Sequence, residues 1–141
     1  MKVYFDTSAL IKRYIHEPGS DNVDAIFNDT DEIYVSNITQ LEAFSTFRRL
    51  KTEKAINEDE YIFLINEFKQ DYQYFEKIIF DETVSSISRV IIDAYQLKTL
   101  DSIQLGSALC FKNSISLFAA CDKKLLRAAR EENIHIVDPT E

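Results

Sequence analysis

Four acidic residues, well separated along the chain, stand where α/β proteins commonly build reactive sites: Asp6, Glu42, Asp101 and Asp122. Asp6 directly follows the apolar run at 3–5, and Asp122 lies just past the apolar run at 116–120. Glu42 and Asp101 fall in the first turns of two predicted helices. Carboxylates at such junctions lie at the crevice where open α/β sheets bind their ligands. The pattern therefore suggests the hypothesis that the four acids share one site.

A shared site of four carboxylates would suit a hard divalent cation. At an effective dielectric constant near 20, two unit charges ~4 Å apart repel by roughly 4 kcal/mol, so the carboxylates need a counter-charge or a proton. Oxygen ligands without Cys or His select Mg²⁺ or Mn²⁺, and such an ion activates water for in-line displacement at phosphorus. Each acid taken alone is better explained as a helix cap, worth about 0.5–2 kcal/mol. The hypothesis depends on all four acids meeting.

Short apolar runs alternate with helical patterns along the chain, and this alternation predicts an α/β fold. Strands are predicted at 3–5, 32–35, 78–80, 116–120 and 134–137. Helices are predicted at 8–15, 20–27, 82–97, 100–111 and 122–131, and from 38 and from 57 onwards. Strands separated by helices pair in parallel, with helices on both faces of the sheet. No linker or internal repeat is visible, so residues 1–141 are predicted to form a single domain.

Two helices show apolar residues at helical spacing, which predicts their buried faces. Glu42 lies one residue off the first of these stripes, at the rim of the buried face, where a ligand residue belongs. Asp101 similarly lies beside Leu100 and Ile103 at the start of its helix. The predicted buried positions are Ile38, Leu41, Phe44, Phe47 and Leu50 in the first helix, and Val90, Ile91, Ala94 and Leu97 in the second.

The composition excludes several classes of protein. The chain has only two glycines, which rules out the glycine-rich phosphate loops of dinucleotide-binding and P-loop proteins. No apolar stretch approaches the ~20 residues of a membrane span, and no signal segment is visible, so we expect a soluble, cytoplasmic protein that does not bind membranes. Cys110 and Cys121 are expected to be buried free thiols. His16 and His135 are too few and too far apart for a histidine-based site.

The net charge of −8 opposes non-specific binding to nucleic acid, whose affinity comes largely from Lys and Arg. It suits a metal cation or a basic protein partner, and a bound cation would reverse the local sign at the acids. Basic side chains near the acidic junctions are the candidates for contact with a nucleic-acid backbone: Lys12, Arg13, Arg48 and Lys123.

Four segments resemble the motifs of PIN-domain proteins, in particular the VapC-type toxins of bacterial toxin–antitoxin pairs. The sequence VYFDTSALIKRY at 3–14, followed by HEPGS at 16–20, is similar to the family's opening. The segment VSNITQLE at 35–42 is similar to the one with the second acid. The third and last acidic motifs are matched by LKTLDSIQL at 97–105 and FAACDKKLL at 118–126. The resemblance covers nearly the whole chain, in order.

The resemblance implies a three-layer α/β/α fold with a mostly parallel sheet and a Mg²⁺- or Mn²⁺-dependent endoribonuclease that cleaves RNA with a metal-activated water. Asp6 and Asp101 would anchor the principal metal, Glu42 would bind it or position its water, and Asp122 would complete the site. It also implies a homodimer and a cognate antitoxin that covers the active site.

Two residues depart from the family pattern. Ala120 stands where Thr or Ser is frequent, and Gln104 stands where His is frequent. Neither departure removes a carboxylate, so activity is expected to survive. Ser8 is retained, and its hydroxyl is expected to hold a metal-bound water.

Three alternatives to a toxin remain. One is a PIN nuclease in RNA processing, and another is a PIN-like scaffold that binds RNA or protein without cleaving it. The third is a receiver-type phosphoacceptor domain, in which Asp81 would be the acceptor. That domain needs an acidic pair after the first strand and a Lys after the last. Asp6 has no acidic neighbour, and residues 134–141 contain no Lys.

Overall fold

Strands and helices alternate along the chain, as the apolar pattern predicts. The computed structural model describes all 141 residues. The five strands are β1 (Lys2–Phe5), β2 (Glu32–Ser36), β3 (Glu76–Ile78), β4 (Leu117–Ala119) and β5 (Ile136–Val137). The seven α-helices are α1 (Thr7–Leu10), α2 (Ser20–Asn28), α3 (Thr39–Thr52), α4 (Glu58–Tyr72), α5 (Glu82–Tyr95), α6 (Thr99–Cys110) and α7 (Lys123–Glu131). A 3₁₀ turn at Ile11–Arg13 follows α1.

All five strands are parallel and form one sheet in the order β3-β2-β1-β4-β5. Strand β1 is central, and its Val3 lies opposite Ile33 on one side and Leu117 on the other. The chain adds β2 and β3 on one side of β1 and then β4 and β5 on the other side. Where the strand order reverses in this way, an open α/β sheet has a crevice at the carboxyl ends of its strands, here at the end of β1. The junctions after β1, β2 and β4 meet at that crevice.

Two apolar cores lie on opposite faces of the sheet, because neighbouring side chains of a strand point to opposite faces. Val3 and Phe5 contribute to the core with α1, α3 and α4, whereas Tyr4 contributes to the core with α5, α6 and α7. In β2, Tyr34 joins Tyr4 in the second core. The prediction of a three-layer α/β/α fold is confirmed, with a sheet that is wholly parallel.

Helix α6 contains the longest buried run of any helix, with every residue from Ser102 to Ala108 buried. It packs closely against α5 at Gly106, where a Cβ would lie only 3.2 Å from the backbone nitrogen of Ser88 and 3.3 Å from its Cα. The absence of a side chain at Gly106 therefore sets the distance between the two helices, and this packing fixes α6 over the sheet.

Some element boundaries and buried faces differ from the predictions. Strand β3 ends at Ile78, two residues before the predicted end, because the chain leaves the sheet there and the backbone N–H of Phe80 donates to Asn37 Oδ1 at 3.2 Å. The helix predicted at 8–15 is only the short α1 and the 3₁₀ turn. Leu41 is 67% exposed, because Thr39, Ala43 and Phe47 form the buried face of α3. Val90 and Ala94 are likewise exposed.

Two further predictions concern single features of the chain. Both cysteines are free, as predicted, although each is only partly buried. None of the helices combines the length and the apolarity that crossing a bilayer requires.

Candidate active site

Asp6 lies at the carboxyl end of the central strand. Its backbone N–H donates to the carbonyl of Ala119 at 2.9 Å. The hydrogen bonding between β1 and β4 therefore extends to Asp6, and its side chain lies at the carboxyl edge of the sheet. The residue is only 4% exposed. Its Oδ2 accepts from the backbone N–H of Ser8 at 3.1 Å and from the Ser8 hydroxyl. Asp6 is therefore the N-cap of α1 as well as a candidate ligand.

The Ser8 hydroxyl joins two of the acidic junctions. It donates to Asp6 Oδ2 and accepts from the backbone N–H of Cys121 at 3.1 Å, just past β4. The hydroxyl predicted to hold a water thus contacts the Asp6 carboxylate directly. This contact fixes the carboxylate relative to both strands.

Asp6, Glu42 and Asp101 line one open cavity of about 580 Å³ at the crevice of the sheet. The other side chains that line the cavity either carry a hydroxyl group or are aliphatic. The hydroxyl residues are Thr7, Ser8, Ser45 and Thr46, and the aliphatic residues are Ile11, Ile38, Leu41 and Leu100. Three of the four predicted acids thus line the same cavity, and they come from α3, from α6 and from the end of β1.

The fourth acid, Asp122, lies beside this cavity and does not line it. Its side chain is exposed and caps α7, with Oδ1 accepting from the backbone N–H of Leu125 at 2.8 Å. It is close enough to Asp101 for its negative charge to raise the pKa of that carboxyl. Asp122 is therefore coupled to the cavity through Asp101.

The three cavity acids repel one another. Burial raises the pKa of Asp6 to about 7, and the charges of Glu42 and Asp101 add to this rise, whereas the hydrogen bonds from Ser8 oppose it. The pKa of Asp101 is also raised, first by burial and then by the charges of Asp122 and Glu42. The positive charge of Lys98 counters this rise at Asp101, where it lowers the pKa. The cavity therefore has an excess of negative charge that a cation would neutralise.

Glu42 is held by a set of polar side chains that the sequence did not reveal as functional. Its Oε1 accepts from Thr7 Oγ1 and from Gln104 Nε2, each at 2.8 Å. Gln104 Nε2 is also 3.1 Å from Thr39 Oγ1, and Gln104 Oε1 accepts from the Tyr4 hydroxyl at 2.6 Å. The sequence signal that could have indicated this set was the spacing of its members along the helices. Thr39 and Glu42 are three residues apart, as are Asp101 and Gln104, and residues at this spacing share a helix face.

The side chains at the cavity fit a hydrated Mg²⁺ or Mn²⁺ ion. The charged donors are all carboxylate oxygens, and neither His nor Cys lines the cavity. No three carboxylates converge closely enough in this arrangement to hold one ion together. Mg²⁺ is usually bound through one or two carboxylates and keeps several waters, so a site in which acids surround an open cavity suits this ion.

The predicted substrate-contacting basic residues do not line the cavity. Lys12 is buried and pairs with Glu17 at 2.8 Å, and Lys123 pairs with Glu141. Arg13 pairs with acidic residues of α2 and α4, and its guanidinium lies 3.9 Å from the centre of the Phe27 ring. Arg48 is exposed on α3 and forms no ion pair. Contact of these residues with a substrate stays a prediction.

Comparison with known proteins gives a family and a fold. The family model of the PIN domain matches residues 3–131. A FitAB complex bound to a DNA fragment contains a similar chain, with a TM-score of 0.76 and 19% identity over 99% of this chain and 96% of that one. A toxin–antitoxin complex from Klebsiella pneumoniae also contains a similar chain, with a TM-score of 0.71 and 17% identity over 99% of this chain and 98% of that one. No curated protein sequence matches.

A third structure is a VapC toxin from Mycobacterium tuberculosis described as cleaving the sarcin–ricin loop. It is similar with a TM-score of 0.67 and 11% identity, over 89% of this chain and 94% of that one. At these identities the solved structures show a common fold.

Proposed function

The chain belongs to the PIN domain family, and from this premise we propose that it is a Mg²⁺- or Mn²⁺-dependent endoribonuclease toxin of the VapC type. The observation that carries the proposal is the cavity at the carboxyl end of β1, which Asp6, Glu42 and Asp101 line. Their mutual repulsion, which the charge of Lys98 opposes only at Asp101 by lowering its pKa, favours a divalent cation. The proposal is supported by a structural relative that is described as an RNA-cleaving toxin.

Each acid has a role that follows from its environment. Asp6 is the anchor, because Ser8 fixes its Oδ2 while the carboxylate borders the cavity. Asp101 is the second ligand, and the negative charge of Asp122 raises its pKa from outside the cavity. Glu42 contacts the ion or its water through Oε2, since Oε1 is already occupied by protein donors. When bound, the cation would lower the pKa of a coordinated water and offset the charge that develops at the phosphate.

The surroundings of the acids suit an RNA strand at a cation site. The apolar side chains of Leu41 and Leu100 are exposed beside the acidic residues, so a ribose or base has an apolar surface next to the phosphate position. Arg48 is an unpaired cation on the same helix as Glu42. The chain carries a net charge of −8 and therefore repels a phosphate group. The attraction for the phosphate would come from the bound ion.

A cognate antitoxin and a second copy of the chain are the proposed protein partners. The antitoxin is supported by the relatives, several of which are toxin–antitoxin complexes. Exposed aromatic residues in and after α4, such as Phe63 and Tyr74, offer apolar surface for such a partner.

The proposal is tested by RNA cleavage with and without metal. We expect the wild-type chain to cleave a structured RNA in Mg²⁺ or Mn²⁺ and to lose cleavage in EDTA. Asp6→Asn should retain the helix cap, since Asn caps as well as Asp, and should cleave at least ~100-fold more slowly. Asp93→Asn, which changes an exposed acid on α5 that does not line the cavity, is the matched control. Full cleavage in EDTA, or by a folded Asp6→Asn chain, would contradict the mechanism.

A further inference from the structure

A buried polar network connects the middle of the sheet to Glu42. The network consists of the side chains of Tyr4, Thr7, Thr39, Gln104 and Glu42. Tyr4, Thr39 and Gln104 are almost completely buried, and Gln104 is only 1% exposed. Buried polar atoms are costly unless hydrogen-bonded, and the contacts within the network provide those bonds. Such a network is rigid because each member depends on its neighbours.

The two ends of the Gln104 amide fix its orientation. Oε1 lies 2.6 Å from the Tyr4 hydroxyl, and Nε2 lies 2.8 Å from Glu42 Oε1. The opposite orientation would put the amide oxygen against a carboxylate oxygen, and neither atom carries a proton. Hydrogen bonding in the network therefore runs in one direction, from Tyr4 through Gln104 to Glu42.

The network divides the Glu42 carboxylate into two different oxygens. Oε1 accepts from both Thr7 and Gln104, whereas Oε2 has no hydrogen-bond partner in the protein, and Glu42 lines the cavity. We propose that Gln104 is a positioning residue that holds Glu42 by Oε1, so that only Oε2 is presented to the cation site. This inference rests on the proposed function, because it assigns Gln104 a role toward the cation of that same site.

An amide suits this position better than other side chains of similar size. It donates to Glu42 and accepts from Tyr4 at the same time, which neither a methionine nor a leucine can do. It also remains neutral at every pH, whereas a carboxylate there would add negative charge to an already acidic cavity. Residues that orient metal ligands from the outer shell typically contribute 10–100-fold to metal affinity, and this range sets the effect expected for Gln104.

The test compares Mn²⁺ binding by two methionine variants of α6 with binding by the wild type. Gln104→Met keeps the approximate volume of the side chain and removes both hydrogen bonds. Leu105→Met is the matched control, because it places the same residue at the next position of the helix, in the apolar core. We expect calorimetric titration with Mn²⁺ alone to show at least ~10-fold weaker binding for Gln104→Met and wild-type affinity for Leu105→Met.

Thermal unfolding of both variants shows whether each is folded at the temperature of the titration. Should Gln104→Met not fold, Tyr4→Phe removes only the hydroxyl that holds Gln104 Oε1, and it should still weaken Mn²⁺ binding measurably. Wild-type affinity in a folded Gln104→Met chain overturns the inference, as does an equal loss in Leu105→Met. In those cases the wild type still binds Mn²⁺ and cleaves RNA, so the proposed function stands. A wild type that binds no Mn²⁺ overturns both.

Discussion

At the scale of single residues, the Asp6 carboxylate links the site to the stability of the protein. Burial raises its pKa to about 7, above the ordinary value of about 3.8, so the folded chain holds a proton that the unfolded chain releases. The contribution of this group to stability is therefore complete below about pH 4 and is lost as the pH rises through about 7. The charges of Glu42 and Asp101 add to the rise that burial causes, and a cation would relieve that repulsion.

We predict that the metal-free protein becomes less stable between pH 5 and pH 8. Asp6 accounts for on the order of 3 kcal/mol of this fall, because about two pH units of the range lie between its ordinary pKa and its raised pKa of about 7, at 1.36 kcal/mol for each unit. Urea denaturation in EDTA across this range measures the free energy of unfolding. Asp6→Asn cannot titrate and should show a smaller fall over the same range. If the free energy of unfolding depended on pH equally in the two chains, ionisation of Asp6 would not destabilise the folded protein, which would contradict this prediction.

Asp122 differs from Asp6 because it is exposed and lies outside the cavity lining. We predict that Asp122→Asn lowers kcat/KM by about 10-fold, in the range for residues that act on a ligand from outside. Asn preserves the cap of α7, so the melting temperature should barely change. The measurement is steady-state RNA cleavage beside Asp6→Asn. Unchanged kinetics would remove Asp122 from the site, and a loss as large as that of Asp6→Asn would make it a direct ligand.

At the scale of elements, the packing of α5 against α6 holds Asp101 and Gln104 in place. We predict that Gly106→Ala destabilises the protein by about 1–3 kcal/mol, the usual cost of overpacking a core. The added methyl group would contact the Ser88 hydroxyl and lie close to the Ser88 backbone. Chemical denaturation measures the loss, and the double variant Gly106→Ala/Ser88→Ala should recover part of it. A Gly106→Ala chain as stable as the wild type would show that the two helices can separate without cost.

The identity of most elements could be predicted from the sequence because it depends on local periodicity. Strands β1 and β2 and helices α2, α5, α6 and α7 lie within a few residues of their predicted positions. The buried face of α3 could not be predicted, because the helix turns Thr39 and Glu42 toward the polar network and leaves Leu41 exposed. The apolar stripe predicted a different rotation of α3 about its axis. The hydrogen bonds of Glu42 to other elements stabilise the observed rotation instead.

At the scale of the whole molecule, the order of the strands creates the site. Asp6 and Glu42 line one cavity because β1 pairs with β2, and Asp101 joins them because α6 packs against β2. The sequence places acids at the junctions but does not contain the strand order, which depends on long-range packing. The Gln104 network was hidden for the same reason, since Tyr4 and Gln104 are 100 positions apart and each fits an ordinary core role. The homodimer and the antitoxin stay predictions.

The most direct test of the cation site is anomalous diffraction from crystals of the wild-type chain soaked in Mn²⁺. We predict an anomalous peak in the cavity, with carboxylate oxygens of Asp6 and Asp101 at roughly 2.1 Å from the ion, by analogy with Mg²⁺. The remaining ligands should be waters, one of them within reach of Glu42 Oε2. A peak only at other carboxylates, or no peak in a chain that cleaves RNA with added Mn²⁺, would contradict the assignment of these acids as the metal site.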